Sequence, residues 1–177
     1  FVALITFAWL NHSREFASQP LIIALILSVL IFSFFNARKR AKTFAGDVGS
    51  VSMAFILAWF MIALIVQTGR IEYIIFFSVY GIDSVITIIY RLYRRENIFN
   101  AHRSHLYQLL CNELGWNHIV VSVLYSSIQA LVNIVAITLI AEEKMTWITF
   151  GIFLIALSTG YLIMRQIISK DAQPNWC

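Results

Sequence analysis

Apolar residues run through this chain in unbroken stretches and not in alternation. Residues 20–35, 51–67, 71–92, 119–141 and 147–164 form five such runs, and only the third carries charged side chains: Glu72, Asp83 and Arg91. A helix that crosses the hydrocarbon core of a bilayer needs about 20 mostly apolar residues, with a range near 17 to 25. The first run, of 16 residues, is just short of that range, the second, of 17, stands at its lower limit, and the other three lie within it. Residues 1–10 read as the end of a sixth helix. No run alternates with the two-residue period of a barrel strand, and all are too long for buried strands of a soluble sheet. The pattern predicts an all-α, polytopic transmembrane helical protein with five full spans plus the end of a sixth.

Composition agrees. Of 177 residues, 60% are hydrophobic and only 12% charged, about half the charged share of a soluble domain. Mean hydropathy is +0.78. These values exclude a disordered tail, a nucleic-acid-binding module and a small disulfide scaffold. Cys111 and Cys177 have no CxxC or Cys/His spacing around them, which argues against a disulfide framework and a zinc site. The chain opens on Phe1 within an apolar run, with no basic segment or cleavage site before it, so a signal peptide is not expected. The expectation is that residues 1–177 are the C-terminal part of one longer integral-membrane domain.

Charge orients the spans. Arg14, Arg70 and Lys144 are isolated in three loops, whereas Arg38, Lys39, Arg40 and Lys42 share a fourth. Arg91, Arg94, Arg95 and Arg103 share a fifth, and Arg165 and Lys170 follow the last span. Lys and Arg accumulate on the cytoplasmic side of membrane proteins. The alternation therefore predicts that both long basic loops and the C-terminus face the cytoplasm.

Those two loops hold most of the chain's polar chemistry. The first contains Gly46-Asp47-Val48-Gly49-Ser50 at a helix start. A carboxylate at the water boundary is suited to Mg²⁺, which takes one or two carboxylates and completes its shell with water and phosphate oxygens. Asp47 or Ser50 could equally serve as a helix cap. The second loop places His102, Arg103 and His105 close together, a compact donor set for a diphosphate, although a solvated interfacial loop would look the same. Asp83 lies inside a span, where a carboxylate is costly and needs either a function or a partner. Gln129 and Asn133, four residues apart, read as hydrogen-bonding glue between helices. Trp59, Trp116 and Trp147 suit interfacial belts.

Taken in order, the loops resemble a known family. Phe35-Asn36, followed by Ala41-Lys42-x-Phe44-x-Gly46-Asp47-x-Gly49-Ser50, is similar to a signature of the polyprenyl-phosphate N-acetylhexosamine-1-phosphate transferases. These are the glycosyltransferase 4 enzymes, related to the phospho-N-acetylmuramoyl-pentapeptide transferase of peptidoglycan synthesis. Glu96-Asn97-x-Phe99-x-Ala101-His102-Arg103-Ser104-His105-x-Tyr107-Gln108 resembles the basic loop of the family's O-antigen and surface-polysaccharide branch, as does Tyr80-Gly81-Ile82-Asp83-Ser84. The resemblance extends over residues 1–165. It implies transfer of a sugar 1-phosphate from a UDP-sugar to undecaprenyl phosphate in the bacterial inner membrane, with release of UMP and dependence on Mg²⁺. It further implies that Asp47 is catalytic and binds the metal, that Phe44 stacks on uracil, and that His102, Arg103 and catalytic His105 meet the phosphates. Asn36 and Lys42 join the substrate-binding set, and a homodimer is the usual assembly.

Two departures accompany the resemblance. Arg40 stands where the family usually has proline. The family's paired aspartates and its Asn-x-x-Asn-x-x-Asp-Gly segment occur nowhere in these residues, so the 177-residue chain is expected to be inactive alone. The competing reading is a fragment of a lipid or solute transporter or flippase. That would call for polar residues near the midplane of several spans and for broken helices in matching positions.

Overall fold

The computed structural model describes residues 1–38, 41–100 and 103–171, with side chains through residue 168. Lys39, Arg40, Ala101 and His102 lie outside the described residues. The architecture is all-helical, and no strand occurs among the described residues. The helices are α1 (Val2–Arg14), α2 (Gln19–Asn36), α3 (Gly46–Thr68), α4 (Ser78–Tyr93), α5 (Leu106–Asn112), α6 (His118–Ala141) and α7 (Trp147–Asp171). A 3₁₀ segment, Ile71–Phe77, leads directly into α4. Among the described residues, five helices are long and apolar enough to cross a membrane: Gln19–Asn36, Gly46–Thr68, Ile71–Tyr93, His118–Ala141 and Trp147–Ile168. They correspond one to one with the five runs read from the sequence.

The apolar surface supports the same conclusion. Phe55, Val66, Ile148 and Ile155 are between 67% and 77% exposed. Side chains of this kind turned outward are costly in water and ordinary in hydrocarbon, where burying them against another helix brings no hydrophobic gain. The core is built around an aromatic cluster. Phe7 of α1 is fully buried, with its ring 5.8 to 6.4 Å from those of Phe16, Phe60, Phe76 and Phe77. Mostly tilted and edge-to-face rings thus knit α1, α3 and the 3₁₀ segment into one core.

Two elements differ from the uniform spans that hydropathy predicts. The third span is a 3₁₀ segment followed by an α-helix, which leaves backbone groups unpaired at the junction. Gln129 of α6 bonds to both sides of this junction: its Oε1 accepts from Val79 N–H at 3.0 Å, and its Nε2 donates at 3.2 Å to Ile75 O, which also accepts from Ser78 N–H. Nε2 also donates to Asn133 Oδ1 at 2.7 Å, and Asn133 Nδ2 donates to Thr6 Oγ1 at 2.9 Å. The expected interhelical glue therefore joins α1, α6 and the third span. Helix α3 begins at Gly46, several residues before the apolar run, so Asp47 lies in its first turn. The polar residues Gly46 to Ser50 lengthen the helix beyond its hydrophobic part, a boundary that hydropathy alone does not mark.

Candidate functional site

The Gly-Asp-x-Gly-Ser turn has a physical explanation at each position. Gly46 has φ +61°, in the left-handed region where a side chain is strained, and it turns the chain into α3. Asp47 follows in the first helical turn, where exposed backbone N–H groups and the helix dipole favour an anion. A Cβ at Gly49 would stand 3.3 Å from the Ala45 Cβ, so glycine permits the close return of the chain there. Ser50 Oγ donates to Gly46 O at 2.9 Å, with Asp47 O 3.1 Å away. The carboxylate of Asp47 is thus carried on a rigid turn at the end of a spanning helix.

The residues leading into that turn are held by local bonds. Asn36 Nδ2 donates to Thr43 O at 2.8 Å, and Lys42 N–H donates to Phe35 O at 3.0 Å. These bonds close the loop from α2 to α3 and leave Lys42 exposed. Phe44 is 82% exposed. Its ring stands at the mouth of an apolar groove of about 370 Å³ between α1, α2 and α3, lined further in by Leu25, Val29, Phe32 and Ile56. An exposed aromatic ring next to a carboxylate-bearing turn offers a stacking surface to a planar ring.

A second, polar cleft of about 470 Å³ opens between α4, α5 and α6. Arg103 and His118 bring its basic nitrogens, and Tyr80, Tyr107, Gln108, Asn112, Ser122 and Tyr125 bring its other polar groups. Burial pushes the Tyr107 phenol up, helped by the Tyr80 phenol and the Asp83 carboxylate. Burial likewise raises the Cys111 thiol. Both stay neutral at neutral pH, so the basic character of the cleft comes from its arginine and histidine.

His118 connects this cleft to the first loop, because its Nε2 lies 3.2 Å from Arg38 O. No motif or spacing singles out His118 in the sequence. The signal available was its place at the helix start, after the N-cap Asn117, whose side chain accepts from Ile119 N–H at 2.9 Å.

The structure brings some expected residues together and separates others. Arg103 lines the polar cleft; Asp47 and Phe44 do not. His105 is the N-cap of α5, with its ring stacked on Tyr107 at 5.5 Å and its Nδ1 3.5 Å from Asp83 Oδ1. His102 falls outside the described residues. Asp83 is fully buried and engages groups from four helices.

No group of three or more His, Cys, Asp or Glu side chains converges among the described residues in a way that could hold a metal. That excludes a closed protein cage there. The single carboxylate of Asp47 on an anion-favouring turn fits a hydrated Mg²⁺ that takes its remaining ligands from water and phosphate.

Residues 1–65 match the family model described as Glycosyl transferase family 4. The matched region includes Asn36, Lys42, Phe44 and Asp47 and ends within α3; Asp83, Arg103 and His105 lie beyond it. Comparison with curated proteins and with solved structures returned no match.

Proposed function

We propose that this protein transfers a sugar 1-phosphate of the N-acetylhexosamine type from a UDP-sugar to undecaprenyl phosphate. The reaction releases UMP at the cytoplasmic face of the bacterial inner membrane and starts a lipid-linked surface polysaccharide. The observation that carries this reading is that the match to the glycosyl transferase family covers the Asp47 turn itself, on a chain with five helices fit to span a membrane.

In such a transfer an acceptor phosphate oxygen bonds to the sugar-bearing phosphorus. The bond from that phosphorus to the bridging oxygen breaks, and UMP leaves with the oxygen. Catalysis then rests on holding the two phosphates in line and balancing their charge. Mg²⁺, when bound, neutralises charge on the diphosphate. In this reading Asp47 holds the metal, Phe44 stacks on the uracil, and Lys42 and Asn36 support that end of the nucleotide. Arg103, His102 and His105 meet the phosphates, with His118 joining from the far wall of the cleft. Arginine suits the task because its planar donor fork matches phosphate oxygens two at a time.

The test is UMP release by the full-length gene product in detergent, with Mg²⁺, undecaprenyl phosphate and a panel of UDP-sugars. Release that requires one N-acetylated sugar and disappears in Asp47→Asn supports the reading. Absence of release with every sugar, from folded protein, rejects it.

A further inference from the structure

Three of the four buried polar residues of α4, Asp83, Thr87 and Arg91, lie on one helical face, each four residues from the next. At one end of that stripe, Asp83 takes hydrogen bonds from all the helices around it. Its Oδ1 accepts from Tyr161 Oη of α7 at 2.8 Å, from Leu106 N–H of α5 at 3.0 Å and from Thr87 Oγ1 at 3.3 Å. Its Oδ2 accepts from Tyr125 Oη of α6 at 3.2 Å. Among the described residues, His105 Nδ1 lies 3.5 Å from Oδ1, and no Lys or Arg side chain pairs with the carboxylate directly. Instead Arg165 Nη1 donates to both Thr87 Oγ1 and Tyr161 Oη at 3.0 Å, so positive charge reaches Asp83 through two shared hydroxyls.

At the other end Arg91 is 4% exposed, and its guanidinium is spent on the loop that follows α4. Nη2 donates to Asn97 O at 2.6 Å and to Asn100 O at 3.3 Å, Nη1 to Ile98 O at 3.3 Å, and Nε to Glu96 Oε2 at 3.1 Å. The loop starts from a helix end in which Glu96 N–H reaches Arg91 O and Arg95 N–H reaches Leu92 O, both at 2.9 Å. Arg95 sits at φ 58°, a left-handed position normally given to glycine. A non-glycine residue keeps such a conformation where its surroundings hold it.

We infer that Asp83 and Arg91 are positioning residues that clamp the His-Arg loop from both sides, Arg91 by its carbonyls and Asp83 by the backbone N–H of Leu106. The segment between the two grips contains Arg103 and His105. Neither clamp residue need touch substrate; each fixes where the loop's donors stand. The inference deepens the transferase reading and, for its kinetic part, rests on it.

The experiment has two arms. Amide hydrogen exchange is compared for the wild type, Asp83→Asn and Arg91→Lys, each in detergent. Both substitutions keep size and polarity while removing the charge or the donor fork. Exchange of the 97–106 amides is expected to quicken by about tenfold or more while α6 keeps its protection. In the full-length enzyme the KM for the sugar nucleotide is expected to rise by about 10-fold to 100-fold, with a smaller change in kcat.

Unchanged loop exchange in both variants overturns the inference. So does faster exchange with wild-type KM, because the loop would then be held for stability alone. Loss of protection throughout the protein in both variants also overturns it. A wild type inactive on every sugar nucleotide rejects the transferase reading, and the exchange arm still decides the clamp.

Discussion

The His118 Nε2 of α6 lies 3.2 Å from the carbonyl oxygen of Arg38, joining two polar loops that are 80 residues apart. Through this contact the basic loop after α2 and the cleft beside α5 become parts of one surface. Arg103 lines the same cleft, so basic side chains from the loop before α5 and from the start of α6 face a shared space. That arrangement suits a ligand carrying more than one phosphate.

Replacing Arg103 tests it directly. Arg103→Ala is expected to raise the KM for the sugar nucleotide by about tenfold or more, the loss of about 1.4 kcal/mol or more of charge-assisted hydrogen bonding. Arg103→Lys keeps the charge but not the fork and should recover part of the loss. An Arg103→Ala enzyme with unaltered KM would remove the cleft from the substrate site.

Gln129 makes a separate, structural prediction. Gln129→Leu fills the space but leaves Val79 N–H and Ile75 O without their side-chain partners. Ile75 O keeps its bond from Ser78 N–H, so the cost falls on Val79 N–H, at about 1 to 3 kcal/mol for one unsatisfied buried group. Thermal unfolding in detergent should occur at a clearly lower temperature, while activity per folded molecule at low temperature stays near wild type. An unchanged Tm would mean that water or neighbouring groups take over both bonds.

Much of the fold was legible because the bilayer imposes a simple rule: long apolar runs must be helices, since every backbone group has to be satisfied within its own segment. The Asp47 turn was legible for a related reason, as its glycines, carboxylate and serine act within a few residues of one another. The partners of Asp83 were not. They come from Leu106, Tyr125 and Tyr161, distant in sequence, and nothing local in any of those segments points back to Asp83. The break between Ile71–Phe77 and α4 was hidden as well, because its compensation lies in Gln129 on another helix. His118 escaped notice because one histidine at a helix start carries no pattern of its own.

Cys111 offers a pH readout of the cleft. Its thiol is raised above the usual value, near about 8.5, by burial. A raised value lowers the thiolate fraction at any given pH, and the thiolate is the reactive form. In a Cys177→Ser background, maleimide labelling of Cys111 should therefore be slow at pH 7 and still climbing above pH 9. Rapid labelling at neutral pH, levelling off below pH 8, would contradict a partly buried, neutral thiol.

Orientation can be checked without any activity. Phe99 is 91% exposed in the second basic loop, and the Lys144 side chain is 67% exposed in the turn between α6 and α7. In a background with both native cysteines replaced, Lys144→Cys should react with a membrane-impermeant maleimide on intact cells. Phe99→Cys should react only after permeabilisation. The opposite pattern would put the basic loops outside, away from nucleotide sugars.

The central claim is that the Asp47 turn serves sugar-phosphate transfer to a lipid phosphate. The most direct measurement is UMP release by the full-length protein with Mg²⁺, undecaprenyl phosphate and individual UDP-sugars, wild type beside Asp47→Asn. Loss of a metal ligand that balances diphosphate charge should slow turnover by about 100-fold or more, with the variant still folded. The account predicts release with one N-acetylated sugar and its near-complete loss in Asp47→Asn. Equal release by both proteins would contradict it.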